Sequence, residues 1–156
     1  MARSLEAKLK RATDAVDRAT TRAMERAADE LVRLMKSLVP VEEGDLRASI
    51  GWTWGAAPDD AIASDSISSG EKRITIYAGV GLDIPAIARW VEFGTEPHSV
   101  AKGGGTKAGK SALAKGGGVP HPGAKAHPYF WPAYRAKRKS IVSQMRKEIR
   151  KELKKV

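Results

Sequence analysis

Cysteine is absent from the 156-residue sequence. Neither a disulfide framework nor a thiolate metal site or nucleophile is open to it, and a reducing compartment is consistent with the lack. Long apolar runs are missing too. None approaches the roughly 20 residues of a bilayer-spanning helix, and residues 1–30 are charged and helical in pattern rather than leader-like. A soluble, unexported protein without a membrane partner is expected. Carboxylates are absent from one long stretch, since no Asp or Glu lies between Pro97 and Lys147.

That third absence splits the chain electrically. Met1 to Glu96 holds 13 basic and 16 acidic residues, whereas Pro97 to Val156 holds 15 basic and 2 acidic, so all of the net +10 sits in the second part. Such a stretch attracts phosphates or an acidic protein face, with strong salt dependence, or else stands as a solvated basic tail.

The length suits one domain with a real core. Leu5, Leu9, Ala12, Val16, Ala19, Ala23, Ala27, Leu31, Leu34 and Leu38 recur at steps of three and four. They predict a helix over 4–38, about 50 Å long, whose alanine-rich first half packs closely or against a partner chain while Leu31, Leu34 and Leu38 anchor the core. Proline at 40 ends it, because the residue before a proline disfavours helical geometry. Ile50, Trp52 and Trp54 alternate, as do Ile74, Ile76, Ala78 and Val80, predicting two antiparallel strands separated by an exposed loop from Gly55 to Gly70. A short helix over 84–93 follows, with Pro85 in its first turn, Gly94 at its end, and Ile87, Trp90 and Val91 covering the sheet.

Residues 100–125 form a glycine- and lysine-rich arm that cannot bury enough apolar surface to fold alone. A basic-backed amphipathic helix over 132–154, carrying Tyr134, Arg138, Ile141, Met145, Ile149 and Leu153 on one face, is expected to pack on the sheet. The fold class is α+β, a single domain over 1–156. Its two long helices pack on a small, mainly antiparallel sheet drawn from 46–99 and 126–131, with the flexible arm extending from it.

Signals for chemistry are weak. Gly104 to Ser111 matches the phosphate-loop pattern, but no apolar strand leads into it and no aspartate follows before Glu148 to hold magnesium. His98, His121 and His127 lack a partner set for a metal, and Glu42 and Glu43 sit beside a glycine as turn or interface charges. No enzyme, cofactor or metal is expected.

Three signatures remain, and each joins turn residues to large anchors. The first holds Val39, Pro40, Val41, Gly44, Leu46, Arg47 and Ser49; the second Glu92, Phe93, Gly94 and Thr95; the third Pro128, Tyr129, Phe130, Pro132 and Ala133. Gly44 supplies positive φ to reverse the long helix into a Leu46–Trp54 strand, and Gly94 does likewise after the short helix, leaving Phe93 as a core plug. Glu92 either accepts backbone N–H bonds or pairs with Arg47. Pro128 and Pro132 bracket an extended, edge-like segment. Lys102, Lys107, Lys110, Lys115, Lys125, Arg135, Lys137, Arg138 and Lys139 are the candidate contacts to a partner or to DNA.

In this order, across residues 5–150, the signatures resemble the gene-product-ten-like tail-component family of long-tailed bacteriophages, also described as neck or tail-completion proteins and similar to minor tail protein Z of lambdoid phages. Glu42–Glu43 stands where that family has an Asp–Thr pair, and the arm is longer and richer in lysine. The resemblance implies a virion protein made in the bacterial cytoplasm and placed at the head–tail junction. It implies a homo-oligomeric, hexameric ring joining head-side connector or stopper proteins to the tail terminator or tube, with double-stranded DNA passing through. The competing reading is a basic accessory protein that binds double-stranded DNA, which explains the charge but not the three signatures.

Overall fold

The computed structural model describes residues 2–61, 63–81, 83–101 and 106–155. Helix α1 (Ala2–Leu38) leads into a one-turn helix α2 (Asp45–Ala48) and strand β1 (Gly51–Trp54). Strands β2 (Ala63–Ser69) and β3 (Lys72–Ala78) follow, then α3 (Ile84–Phe93). Strand β4 (His98–Val100), helix α4 (Lys107–Ala114), strand β5 (Val119–His121) and helix α5 (Phe130–Leu153) complete the chain. The class is α+β, with two long helices and small antiparallel sheets.

Strand β3 is central because it carries the strongest alternation. Ile74, Ile76 and Ala78 are buried against α1, and β3 pairs antiparallel with β1 on one side and β2 on the other. Trp52 lies opposite Ile76 and Ile67 opposite Ile74. The sheet is pinned to α1 by polar contacts at its margins: the Trp52 indole N–H donates to Asp29 at 2.8 Å, and Lys72 reaches Asp17 at 2.7 Å.

Strand β2 lies where the sequence predicts a loop. Its residues, Ala-Ser-Asp-Ser-Ile-Ser-Ser, carry one large apolar side chain, so no periodicity announces it. It forms because β3 offers an open ladder of backbone donors and acceptors and Ile67 reaches the core. The expected Leu46–Trp54 strand is likewise shorter, for its first residues wind into α2, with Gly44 at φ 96° ahead of them.

Helix α5 packs chiefly on α1 rather than on the sheet. The two run antiparallel, as Arg22 meets Glu152 at 3.9 Å, Arg26 meets Glu148 at 2.9 Å and Glu30 pairs with Lys137. Between them Met24, Ala27, Ala28, Leu31 and Met35 meet Phe130, Ala133 and Ile141. Alanines at the contact let the helix axes approach closely. Leu38, expected as a core anchor, is 44 % exposed, and Met24, Ala28 and Met35 fill the interior instead.

The expected arm is not featureless. β4 and β5 pair antiparallel, His98 opposite His121 and Val100 opposite Val119, with α4 in the connection. Thr106 caps α4, its hydroxyl oxygen accepting the Gly109 N–H at 3.1 Å. Local caps and a three-residue ladder thus organise a stretch with almost no apolar core. No helix among the described residues is long and apolar enough to cross a membrane.

Candidate assembly site

Helix α5 begins without a capping residue of its own. Its N-cap position is Tyr129, which offers no side-chain acceptor to the first turn. Helices leave their first N–H groups without intrahelical partners, and burying them unpaired is costly. Here the acceptor comes from the second signature. The Glu92 carboxylate, 3 % exposed, takes the N–H of Tyr129 at 2.8 Å and of Phe130 at 2.9 Å on Oε2, and that of Trp131 at 3.1 Å on Oε1. The next residue is Pro132, which has no N–H to satisfy. The start of α5 is therefore fully accounted for by one carboxylate and one proline, and the negative charge sits at the positive end of the helix dipole.

The rest of the corner is built from backbone. The Gly94 N–H donates to the Trp90 carbonyl at 2.7 Å, ending α3 with φ 74° and ψ −176°. That extended, positive-φ conformation is nearly exclusive to glycine. Thr95 and Ala124 then exchange N–H···O bonds of 2.9 and 3.2 Å, and the Thr95 hydroxyl oxygen accepts the Ala124 N–H at 2.8 Å. His127 N–H reaches the Val91 carbonyl at 2.8 Å. Second and third signatures are thus zipped together over several residues.

The first signature closes the corner from the other side. Val39, Leu46 and Ile50 are buried, and the Ser49 hydroxyl donates to the Leu46 carbonyl at 2.8 Å while accepting the Gly79 N–H at 3.0 Å. A groove of 530 Å³ lies beside the first signature, between the Pro40–Arg47 turn, α3 and the Ala124–His127 segment. Arg47 lines this groove and is exposed; among the described residues it makes no ion pair with Glu92, whose oxygens are taken by the backbone.

Phe93 is not a core plug: it is 62 % exposed. The reason is helical geometry, since Glu92 occupies the inward position and the next residue is turned by about 100°. Of the three residues expected to cover the sheet, Val91 packs against the core, beside buried Ala88 and Glu92, whereas Ile87 and Trp90 are exposed, at 37 % and 51 %. Ile87, Trp90 and Phe93 stand three residues apart and form one outward apolar strip.

The sequence reading missed Gly123 and Ala124, the partners of Thr95. A Cβ on Gly123 would collide with the Thr95 carbonyl, and its φ is 82°. The Pro122–Gly123 dipeptide was the available signal, a turn signature hidden in a low-complexity tract.

Tyr129 introduces a defect into this corner. Its hydroxyl is buried and, among the described residues, has no hydrogen-bond partner. Burial pushes the phenol far above its ordinary value near 10, and the charge of Glu92 adds to the effect. Because the fold excludes the phenolate, this group leaves stability independent of pH below its unfolded pKa and lowers it as pH rises above about 10. We expect Tyr129→Phe to raise stability by up to ~1 kcal/mol at neutral pH and to lessen the alkaline loss, measured by thermal melts on both sides of pH 10.

The cationic candidates do not converge. Lys107, Lys110 and Lys115 are exposed on α4 or at its end, Lys125 lines the groove, and Arg135, Arg138 and Lys139 are exposed on α5. Lys137 is paired with Glu30, and Lys102 lies outside the described residues. A continuous ridge does exist further along α5, where Lys139, Arg146, Lys147, Arg150, Lys151 and Lys154 border one open cleft. The helix's two acids, Glu148 and Glu152, turn instead toward Arg26 and Arg22 of α1. The Glu152 carboxyl is held below its ordinary range chiefly by the Lys155 hydrogen bond.

His98 and His121 stack at 5.0 Å, each Nδ1 engaged with nearby backbone, while His127 lies at the groove, so the three histidines do not meet. Gly104 and Gly105 of the phosphate-loop pattern lie outside the described residues.

An α+β fold whose second and third signatures lock one backbone corner, with an apolar strip beside it, has the make-up of a structural protein. Residues 3–94 match the family model described as "Bacteriophage HK97-gp10, putative tail-component", and the chain belongs to that family of structural tail proteins of the virion. The match spans the first signature and the second as far as Gly94; Thr95, the arm and the third signature lie beyond it. Comparison with curated proteins and with solved structures gives no match.

Proposed function

We propose that this protein is a ring-forming subunit of the phage head–tail junction, joining head-side connector or stopper proteins to the tail terminator or tube and leaving a channel for double-stranded DNA. The observation that carries the proposal is the outward strip of Ile87, Trp90 and Phe93, set on a corner whose backbone is held at every turn. Apolar strips beside a polar rim are what assembly surfaces require, and a rigid support lowers the entropic cost of docking.

The ridge on α5 supports the channel. With Glu148 and Glu152 turned toward α1, the cleft along its outer side is lined by six cations with Val142 and Ser143 and by no carboxylate. Such a surface holds DNA phosphates without reading sequence and weakens as salt rises. The β4–α4–β5 excursion is suited to contacts between adjoining rings. Deleting residues 103–118 is expected to abolish joining of heads to tails in particle assembly while leaving the α1–α5 core folded.

Native mass spectrometry of the purified chain at moderate salt, with and without a short duplex, tests the proposal. A discrete closed oligomer formed without DNA is the expected result. A monomer that loads onto the duplex would instead make this a DNA-binding accessory protein. A monomer in both conditions would count against a self-assembling ring.

A further inference from the structure

Among the described residues, the start of α1 is bare: residues 5–11 are exposed without exception. Among the described residues, Asp17 is the most N-terminal α1 residue whose hydrogen bonds or ion pairs reach another element; before it, Thr13 bonds Leu9 and Lys10 pairs with Asp14 within the helix. The antiparallel α5 ends alongside Arg22, through Glu152. Leu5 and Leu9 are consequently 61 % and 60 % exposed on a projecting helical end. This end continues the same stripe that is buried further along, at Ala19, Ala23 and Ala27.

The groove beside the first signature has the complementary character. Its lining is apolar on α3, from Ile84, Ile87, Trp90 and Val91, and carries Glu42, Glu43 and Asp45 on the Pro40–Arg47 turn. Lys125 and Arg47 also line it, so the acidic character is local to the turn. The projecting end carries Lys8, Lys10 and Arg11, all exposed, against two carboxylates, Glu6 and Asp14, the second of which pairs with Lys10. Lys8 flanks the Leu5–Leu9 stripe on the helix.

These two surfaces lie at opposite ends of one rod. α1 runs 37 residues and feeds directly into the Pro40–Arg47 turn, which puts about 50 Å between Leu5 and the groove. A chain therefore cannot fill its own groove. We infer that the N-terminal end of α1 from a second copy docks in the groove, with Leu5 and Leu9 on the Trp90 strip and Lys8 toward Glu42 and Glu43. The contact is heterologous, since different surfaces meet, and repeating it closes a ring when the rotation per subunit allows. This inference rests on the ring reading and names the contact that builds it.

The absence of cysteine makes the test clean. Ala7→Cys on the helix end and Lys125→Cys on the groove, which leave the docking side chains in place, are made singly and together in the full chain, treated with a bismaleimide and run under denaturing conditions. Both sites are exposed, so circular dichroism should match the parent. The double variant is expected to give a ladder of covalent oligomers and each single variant none. Charge reversal supplies a second reading: Lys8→Glu and Glu43→Lys should each weaken self-association about tenfold, and the two together should restore it. Oligomers that form without a ladder would overturn this contact and leave the ring standing. A crosslink in the Ala7→Cys variant alone would overturn it in favour of a symmetric pairing of helix ends. A chain that stays monomeric would overturn both.

Discussion

Glu92→Ala should lower the stability of this protein by roughly 3–5 kcal/mol, the largest effect expected from any single side chain described here. The substitution strips the acceptor from three N–H groups at the start of α5, two of them in a buried site. Each unpaired donor costs about 1–3 kcal/mol, reduced where water can enter, and the lost charge at the helix terminus adds up to ~2 kcal/mol. With about 2–4 °C per kcal/mol for a chain of this size, the melting temperature should fall by roughly 10 °C. Glu92→Gln keeps one acceptor oxygen but turns an NH₂ group toward a donor, and should fall between the two. Hydrogen exchange at Phe130 and Trp131 should accelerate together in the alanine variant. A melting curve unmoved by Glu92→Ala would mean that the corner is held by something other than this cap.

Gly94→Ala is the second. An alanine Cβ would stand 2.7 Å from the Ala124 carbonyl oxygen and 2.9 Å from the Ala126 nitrogen. Both are backbone atoms of the segment zipped to Thr95, so neither can rotate away as a side-chain tip would. The positive-φ, extended conformation itself costs about 1–3 kcal/mol for a residue with a Cβ, and displacing the Ala124 strand adds a similar amount. A loss of about 3 kcal/mol or more is expected, read by chemical denaturation. Because Gly94 and Glu92 secure the same two segments, their combined loss should be smaller than the sum of the separate losses. Strict additivity would show that the cap and the glycine act on independent structures.

These two residues also connect stability to assembly. The strip of Ile87, Trp90 and Phe93 is aimed outward only because Glu92 is aimed inward on the same short helix. Loosening the cap frees α3 to rotate, and self-association should weaken in Glu92→Gln even where the chain remains folded. Losing the cap and losing the docking surface are therefore one event in this fold.

Much of the architecture was legible in one dimension. The period of α1, the proline that ends it, the alternation of β1 and β3, and the bounds of α3 are local consequences of spacing and turn chemistry, and the structure keeps them. So were the signatures themselves, because glycines and prolines beside aromatic anchors mark corners. Strand β2 was not legible, since its serines take up β structure only when β3 is present to pair with. Nor was the direction of Phe93 and Trp90, for an apolar residue on a short helix reads the same whether it faces core or solvent.

The sequence by itself determined the helices α1, α3 and α5, the paired strands β1 and β3, the glycine and proline corners and where the charge lies, because these depend on neighbours within a few residues. Only the tertiary structure decided what the corners do to one another. Glu92 and Tyr129 are 37 positions apart, and no local rule gives a helix with no cap of its own a carboxylate from another helix. The same holds for the groove and for the bare end of α1. Each is a property of surfaces brought together or left apart by packing, and such distances are not written in the order of residues.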